Sequence, residues 1–363
     1  MSTLSTYLSD PFLSKLYTQV RQAGAVKSIS VDLTHECNLR CQGCYYFEEG
    51  MDKIVNTSED LDLAFHEFLK AEKERGTNFI TIVGGEPSLR LDRLKLVYDN
   101  FKMNVATNGI IRIPYEGFEK MPIGVAVWGS HDTDANLRNK GKRDLFSIAL
   151  ENYKNDSRAF FYYTVTPDKS EEIESVVEQC INNGNKVLFN YFGDTNVQGN
   201  GEGYRNGFEN VRNEVEKVIN KYPDHILTTS YFNQVITTGQ LYDQFWGYDV
   251  CTNVSTNFEP NKARLTNGNP YNPHFRSYNA DFKTTRRCCT GINRSCDSCF
   301  DAWEHFSWIL VNMKKHLGSK QEFTQWLTSM YMFYHINRLF EDQNEENIIS
   351  QIHKSLRLEK INS

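Results

Sequence analysis

No uninterrupted apolar run in this sequence approaches the ~18 residues that a membrane-spanning helix needs. The amino terminus, MSTLSTYLSDPFLSKLYTQV, lacks the basic start and apolar stretch of a secretory signal. There is no basic excess either: 40 Lys and Arg stand against 46 Asp and Glu, for a net charge of -6. That balance gives no sign of a basic face for nucleic acid and argues against electrostatic attachment to an anionic membrane. Internal repeats and low-complexity segments are also missing. These absences lead us to expect a cytoplasmic globular protein, and its 363 residues allow one large domain or one with a smaller appendage.

Cysteine, by contrast, is present in force. The nine are Cys37, Cys41, Cys44, Cys180, Cys251, Cys288, Cys289, Cys296 and Cys299. Two dense groups lie far apart with Cys180 alone between them. Clusters of this kind in a chain without a signal favour metal or iron–sulfur ligation over a disulfide scaffold. Cys180, at the end of the helical pattern ESVVEQCINNG, reads as a packed thiol.

Short β-rich runs alternate with helical patterns through the first two-thirds of the chain. Strands are expected at 26–33, 78–83, 102–107, 122–128, 159–165 and 186–192, each near-continuous in apolar or β-branched residues. The helix after the first strand has Thr57 or Ser58 as its candidate cap. A further helix is expected at 205–220. About six β-α units with right-handed crossovers make an α/β fold, a barrel or an open sheet, with the chemistry at the carboxyl ends of the strands. The divisions expected are an N-terminal helical extension at 1–25, the barrel at 26–220, a Cys-rich region at 221–300 and an aromatic helical segment at 301–363.

In THECNLRCQGCYYF, Cys37, Cys41 and Cys44 have Cys-x3-Cys-x2-Cys spacing. Three thiolates in a loop suit two centres. One is a zinc ion completed by a fourth ligand such as His35. The other is a four-iron cluster whose fourth iron stays open to a small molecule.

CNLRCQGC resembles the CxxxCxxC loop of the radical S-adenosylmethionine (radical SAM) enzymes, which follows the first strand of a partial (β/α)6 TIM barrel. Three further segments extend the likeness over about residues 26–200. Gly84, Gly85, Glu86 and Pro87 match the family's GGEP motif, whose backbone receives the methionine amino group. ATNG, with Asn108, matches the segment at the third strand end. SHDTDANLRNKGKRDLF matches the segment after the fourth strand, where Ser130 would lie near the ribose or carboxylate and Arg138 would pair with the carboxylate. The resemblance implies a [4Fe-4S] cluster on Cys37, Cys41 and Cys44, with S-adenosylmethionine chelating the open iron. Glu86 reads as fixing the GGEP turn. Two departures stand out: WGSHD replaces the commoner S-x-D-G, and Gly43 takes a position that is often aromatic. Tyr45 and Tyr46 are left as the candidates for the adenine side.

In the second group, Cys296 and Cys299 form a CxxC pair, and Cys251 with one of Cys288 and Cys289 would complete four ligands. Spacing alone suits a structural zinc or a fully ligated [4Fe-4S] cluster equally. The resemblance favours the cluster, because the region looks like a reduced SPASM or twitch auxiliary-cluster domain.

The expected function is reductive cleavage of S-adenosylmethionine to a 5′-deoxyadenosyl radical that abstracts hydrogen from a small polar metabolite in specialised biosynthesis. The alternative is radical modification of a ribosomally made peptide; a remote one is a non-enzymatic zinc-bearing interaction protein. Expected partners are the small-molecule or peptide substrate and an electron donor such as flavodoxin or ferredoxin. Tyr45, Tyr46, Tyr162, Asn190, Tyr191 and Asp194 are the candidate substrate contacts.

Overall fold

In the computed structural model the described residues are 3–55, 60–194, 201–340 and 347–361. Six strands run parallel in sequential order: β1 (Ser28–Asp32), β2 (Phe79–Val83), β3 (Lys102–Thr107), β4 (Ile123–Val127), β5 (Ala159–Val165) and β6 (Lys186–Tyr191). Sequential order with right-handed crossovers keeps the connecting helices on one face and leaves the other to line a lumen. The result is the partial barrel that the sequence suggested. The β3–β4 connection carries no helix. Thr57 and Ser58 lie outside the described residues; the helix Leu61–Glu74 is capped by Asp60, which accepts from Asp62 N and Leu63 N. Two helices, Gly201–Asn206 and Glu209–Lys221, occupy the stretch where one was expected.

The strands are less uniform than their apolar runs imply. Ile29, Val31, Ile80, Ile82, Val105, Ile123, Val125 and Val127 are buried in the hydrophobic core. The intervening residues are smaller or polar, because alternate side chains face the lumen instead. Register aligns Ser30 with Thr81 and Thr81 with Asn104 across three strands. On β5 and β6 it aligns Thr164 with Asn190.

Beyond β6 the chain forms a small hairpin, β7 (Gln240–Leu241) with β8 (Gln244–Phe245), then returns to the far edge of the sheet. There β9 (Ser277–Tyr278) pairs parallel with β1, and β10 (Thr285–Arg286) pairs antiparallel with β9. The helices Ala302–Val311 and Lys320–Ile336 follow. The second packs against the N-terminal helix Pro11–Ala23, and Tyr334 donates to Gly24 O at 2.6 Å. Asn337, just past its end, accepts from the lumen residue Asn104 at 2.7 Å. Aromatic side chains of the tail thus close the open side of the barrel.

Docking of the Cys-rich region rests on one fully buried ion pair. Arg286 on β10 meets Asp32, the last residue of β1, at 2.6 and 2.8 Å. It also donates to Tyr278 O, Asn279 Oδ1, Cys288 O and Cys289 O. Removing one partner strands the other charge in the interior. Arg286→Met should therefore cost about 3–5 kcal/mol, read as a lower urea midpoint, whereas Lys262→Met at an exposed pair should leave the midpoint unchanged.

Candidate active site

The cysteine loop is built against the carboxyl ends of β1 and β2. Gly85 N donates to Thr34 O at 2.9 Å and Glu86 N to Glu36 O at 2.7 Å, extending the β1–β2 pairing past the strands. The N–H groups of Gly85 and Glu86 are spent there, and Glu86 O and Pro87 O accept from Leu89 N and Arg90 N, so a ligand's ammonium is left the carbonyls of Gly84 and Gly85. Gly84 has φ 104°, and a Cβ on Gly85 would stand 1.9 Å from Glu36 O, so only glycine allows this approach. Glu86 is buried with both oxygens engaged: Oε1 accepts from Ser88 N and Thr107 Oγ1, and Oε2 from Asn108 N at 2.7 Å. It ties the ends of β2 and β3 together. Burial pushes the thiols of the loop up, Cys37 to about 11 and Cys44 to about 12. Cys41 also rises through burial, with Arg138 opposing. A metal centre here would therefore have to displace protons.

Ser130 caps the helix His131–Asn139, its backbone N–H donating to Glu172 at 2.7 Å. Arg138 is buried and already committed: it pairs with Asp134 at 2.9 Å and donates to Ala126 O and Asn108 O. Its neighbours make it a brace joining the ends of β3 and β4 to the cysteine loop. Tyr46 is buried and donates to Thr34 O at 3.3 Å, whereas Tyr45 faces the lumen. Over Gly43 lies Phe192, just past β6; a Cβ on Gly43 would come within 2.5 Å of that ring. Trp128 meets Phe192 edge-on at 5.8 Å. This aromatic pair escaped the sequence reading, since neither residue belongs to a motif. Tyr191 points away from the lumen and donates to Asn233 at 2.7 Å. Tyr162 does face inward, bonded to Asn190 and stacked on Trp303. Asp194 contributes its backbone carbonyl to Ser298 Oγ at 2.7 Å.

Four cysteines of the second group, Cys251, Cys288, Cys296 and Cys299, line one small cavity with Arg287 and Arg294. Cys289 is not in that wall. Buried arginines clamp the backbone of each segment: Arg264 holds Cys251 O, Arg286 holds Cys288 O, and Arg205 holds Cys299 O. Arg287 Nε and Arg294 Nε are buried donors with no hydrogen-bond partner among the described residues. The two cysteine groups also touch: Glu49, after the first, accepts from Ile292 N, Asn293 N and Arg294 N between 2.8 and 3.2 Å.

Residues 31–203 match the family model described as the radical SAM superfamily. That stretch of the chain is a radical SAM domain. Among similar proteins is one named probable GTP 3′,8-cyclase from Saccharolobus islandicus, 33% identical over 72 residues, or 20% of this chain and 22% of that protein. Another is molybdenum cofactor biosynthesis protein 1 of Dictyostelium discoideum, 28% identical over 181 residues, or 41% of this chain and 28% of that protein. The chain thus spans under a third of the length of these curated relatives. Among solved structures, native anSMEcpe with bound AdoMet and Cp18Cys peptide is 17% identical with a TM-score of 0.46, covering 82% of this chain and 83% of that one. Streptococcus suis SuiB bound to S-adenosylmethionine is 14% identical with a TM-score of 0.42, covering 59% and 53%.

Inside the radical SAM barrel is a cavity of about 330 Å³. Ser28 and Ser30 of β1 and Thr81 and Val83 of β2 form one wall; Trp303, Ser307, Met330 and Phe333 of the tail form another. Tyr45, Cys289 and Asp301 also line it. The lining is mostly apolar, and among the described residues it contains no lysine, arginine or histidine. Glu304, pushed up to about 8 by burial and by Asp301, is buried between Cys251 and Cys289.

The close contact at Gly85 yields a direct test. Gly85→Ala must displace the Glu36 carbonyl, a backbone atom, at a cost of ~3 kcal/mol or more. Limited proteolysis should then cut within the Cys37–Cys44 loop, which the parent protein should resist.

Proposed function

We propose that this protein is a radical SAM enzyme that abstracts hydrogen from an uncharged, largely apolar substrate group held in the barrel lumen. The observation that carries this reading is the three-cysteine loop seated on GGEP beside a cavity without a basic residue. Cys37, Cys41 and Cys44 hold the first cluster, and the GGEP carbonyls receive the methionine ammonium. When bound, the reduced cluster supplies the electron that cleaves S-adenosylmethionine to methionine and a 5′-deoxyadenosyl radical. Phe192 and Trp128 are the aromatic surface for adenine. The tail helices exclude water from the lumen. A flavodoxin- or ferredoxin-type protein is the electron donor.

The lining bears on the substrate. A triphosphate requires cations or backbone nests around its charge. The lumen has no cationic side chain among the described residues, so the GTP named for some relatives is a poor fit. A side chain of a peptide suits these walls better than a small polar metabolite. The side chain would enter and leave its polar backbone outside.

For the second centre, the four thiols around one cavity support an auxiliary [4Fe-4S] cluster on Cys251, Cys288, Cys296 and Cys299. Tetrahedral zinc draws its sulfurs to about 3.8 Å apart. Among the described residues, no three of these sulfurs lie within 4.8 Å of one another. The unpartnered Nε–H groups of Arg287 and Arg294 suit an anionic centre, whose sulfides accept hydrogen bonds.

Anaerobic reconstitution tests both centres. The protein should be brown with about eight irons per chain, and Cys41→Ala and Cys296→Ala should each retain about four. With dithionite and S-adenosylmethionine, 5′-deoxyadenosine should form and should vanish in Cys41→Ala. A colourless protein with one zinc and no cofactor cleavage would instead favour the interaction-protein reading.

A further inference from the structure

Cys288 and Cys289 are neighbours in sequence but line different cavities. Cys288 lies in the wall shared with the other three thiols, and Cys289 in the wall of the barrel lumen. Cys288 sits at an isolated bridge to Gly291, and Cys289 opens the tight turn between them. Arg286 holds the arrangement by bonding both carbonyls, at 3.1 and 3.0 Å. Glu304 stands between the cavities, accepting from Cys289 Sγ at 2.8 Å and from Cys251 Sγ at 3.4 Å. On the lumen side Cys289 shares its wall with Tyr45, Asp301 and Trp303.

We propose that Cys289 is the hydrogen donor of the lumen, giving its S–H hydrogen atom to a carbon radical formed there, and is not a cluster ligand. The proposal rests on the radical SAM reading above. An S–H bond is weaker than most alkyl C–H bonds, so transfer from sulfur to carbon runs downhill. One S–H bond breaks, one C–H bond forms, and the unpaired electron passes to sulfur. The thiol is restored when the sulfur takes one electron from a low-potential one-electron reductant and a proton from water. A substrate treated this way exchanges one of its hydrogens for a solvent-derived one, with no net oxidation. Such an outcome is an inversion at carbon rather than a dehydrogenation or a cross-link. Two phenols with comparably weak O–H bonds share the wall, Tyr45 and Tyr334; Tyr334 is committed to Gly24 O, so Tyr45 serves as the internal comparison.

The test needs no identified substrate. The parent protein, Cys288→Ala, Cys289→Ala, Cys289→Ser and Tyr45→Phe are reconstituted anaerobically and their iron is counted. Each is then given dithionite and S-adenosylmethionine in D2O, and the 5′-deoxyadenosine is examined by mass spectrometry. Cys288→Ala should lose about four irons, whereas both Cys289 variants should keep the parental content. The product of the parent protein should carry one solvent deuterium. That fraction should fall severalfold in both Cys289 variants and persist in Tyr45→Phe. Iron loss in Cys289→Ala would overturn the proposal by making Cys289 a ligand. A deuterium fraction that survives in both Cys289 variants, or is lost in Tyr45→Phe instead, would overturn it as well. Absence of any 5′-deoxyadenosine from the parent protein would remove the proposal together with its premise.

Discussion

The buried pair between Asp32 and Arg286 sets the relation between the barrel and everything after it. Its two charges give up hydration that their attraction repays only in good geometry, so its contribution is better understood as registration than as stability. Asp32 ends β1, five residues before Cys37, and Arg286 sits two residues before Cys288. One guanidinium therefore fixes the distance between the two cysteine groups. Its remaining donors reach the carbonyls of Cys288 and Cys289. Glu49 adds a second tie, gathering three amides of the loop between Cys289 and Cys296.

The lumen follows from that registration. With β9 and β10 added beside β1, the chain re-enters over the open side of the barrel, and Trp303 and Phe333 come to face β1 and β2. The polar row Ser30, Thr81 and Asn104 then meets a largely aromatic wall. A cavity with this lining offers hydroxyls and amides for orientation but no cation to neutralise a charged substrate. Arg205, Arg264 and Arg286 are all turned to backbone carbonyls of the cysteine segments. The basic residues of this region thus support the protein itself, and none of them is in the described lining of the lumen.

Much of the barrel was legible in the sequence because its signals are local. Each strand announces itself within seven residues or fewer, and glycine at a strand end marks a turn that only glycine can make. Glu86 was readable as a turn-fixing residue because its partners Ser88, Thr107 and Asn108 lie in or beside recognisable motifs. The face each strand residue takes was harder to read. Runs such as AFFYYTV look uniformly apolar, yet Tyr163 is core while Tyr162 faces the lumen. Tyr191 shows the same limit: it sits at a strand end as a contact residue should, but its side chain points outward to Asn233.

What the sequence determined by itself is the chemistry within reach of one loop: three thiols spaced to converge, a GGEP turn, and a second set of cysteines too dense to be incidental. Only the tertiary structure decided how these parts divide. Cys288 and Cys289 are indistinguishable as letters, and their separation into two cavities depends on Arg286, Glu304 and a strand register formed with residues some 250 positions away. Likewise, Phe192 covers Gly43 and meets Trp128 because the ends of β4 and β6 come together beside the cysteine loop. Short-range spacing reports which atoms can share a centre. Which cavity a side chain enters depends on contacts between distant segments, and no local pattern encodes them.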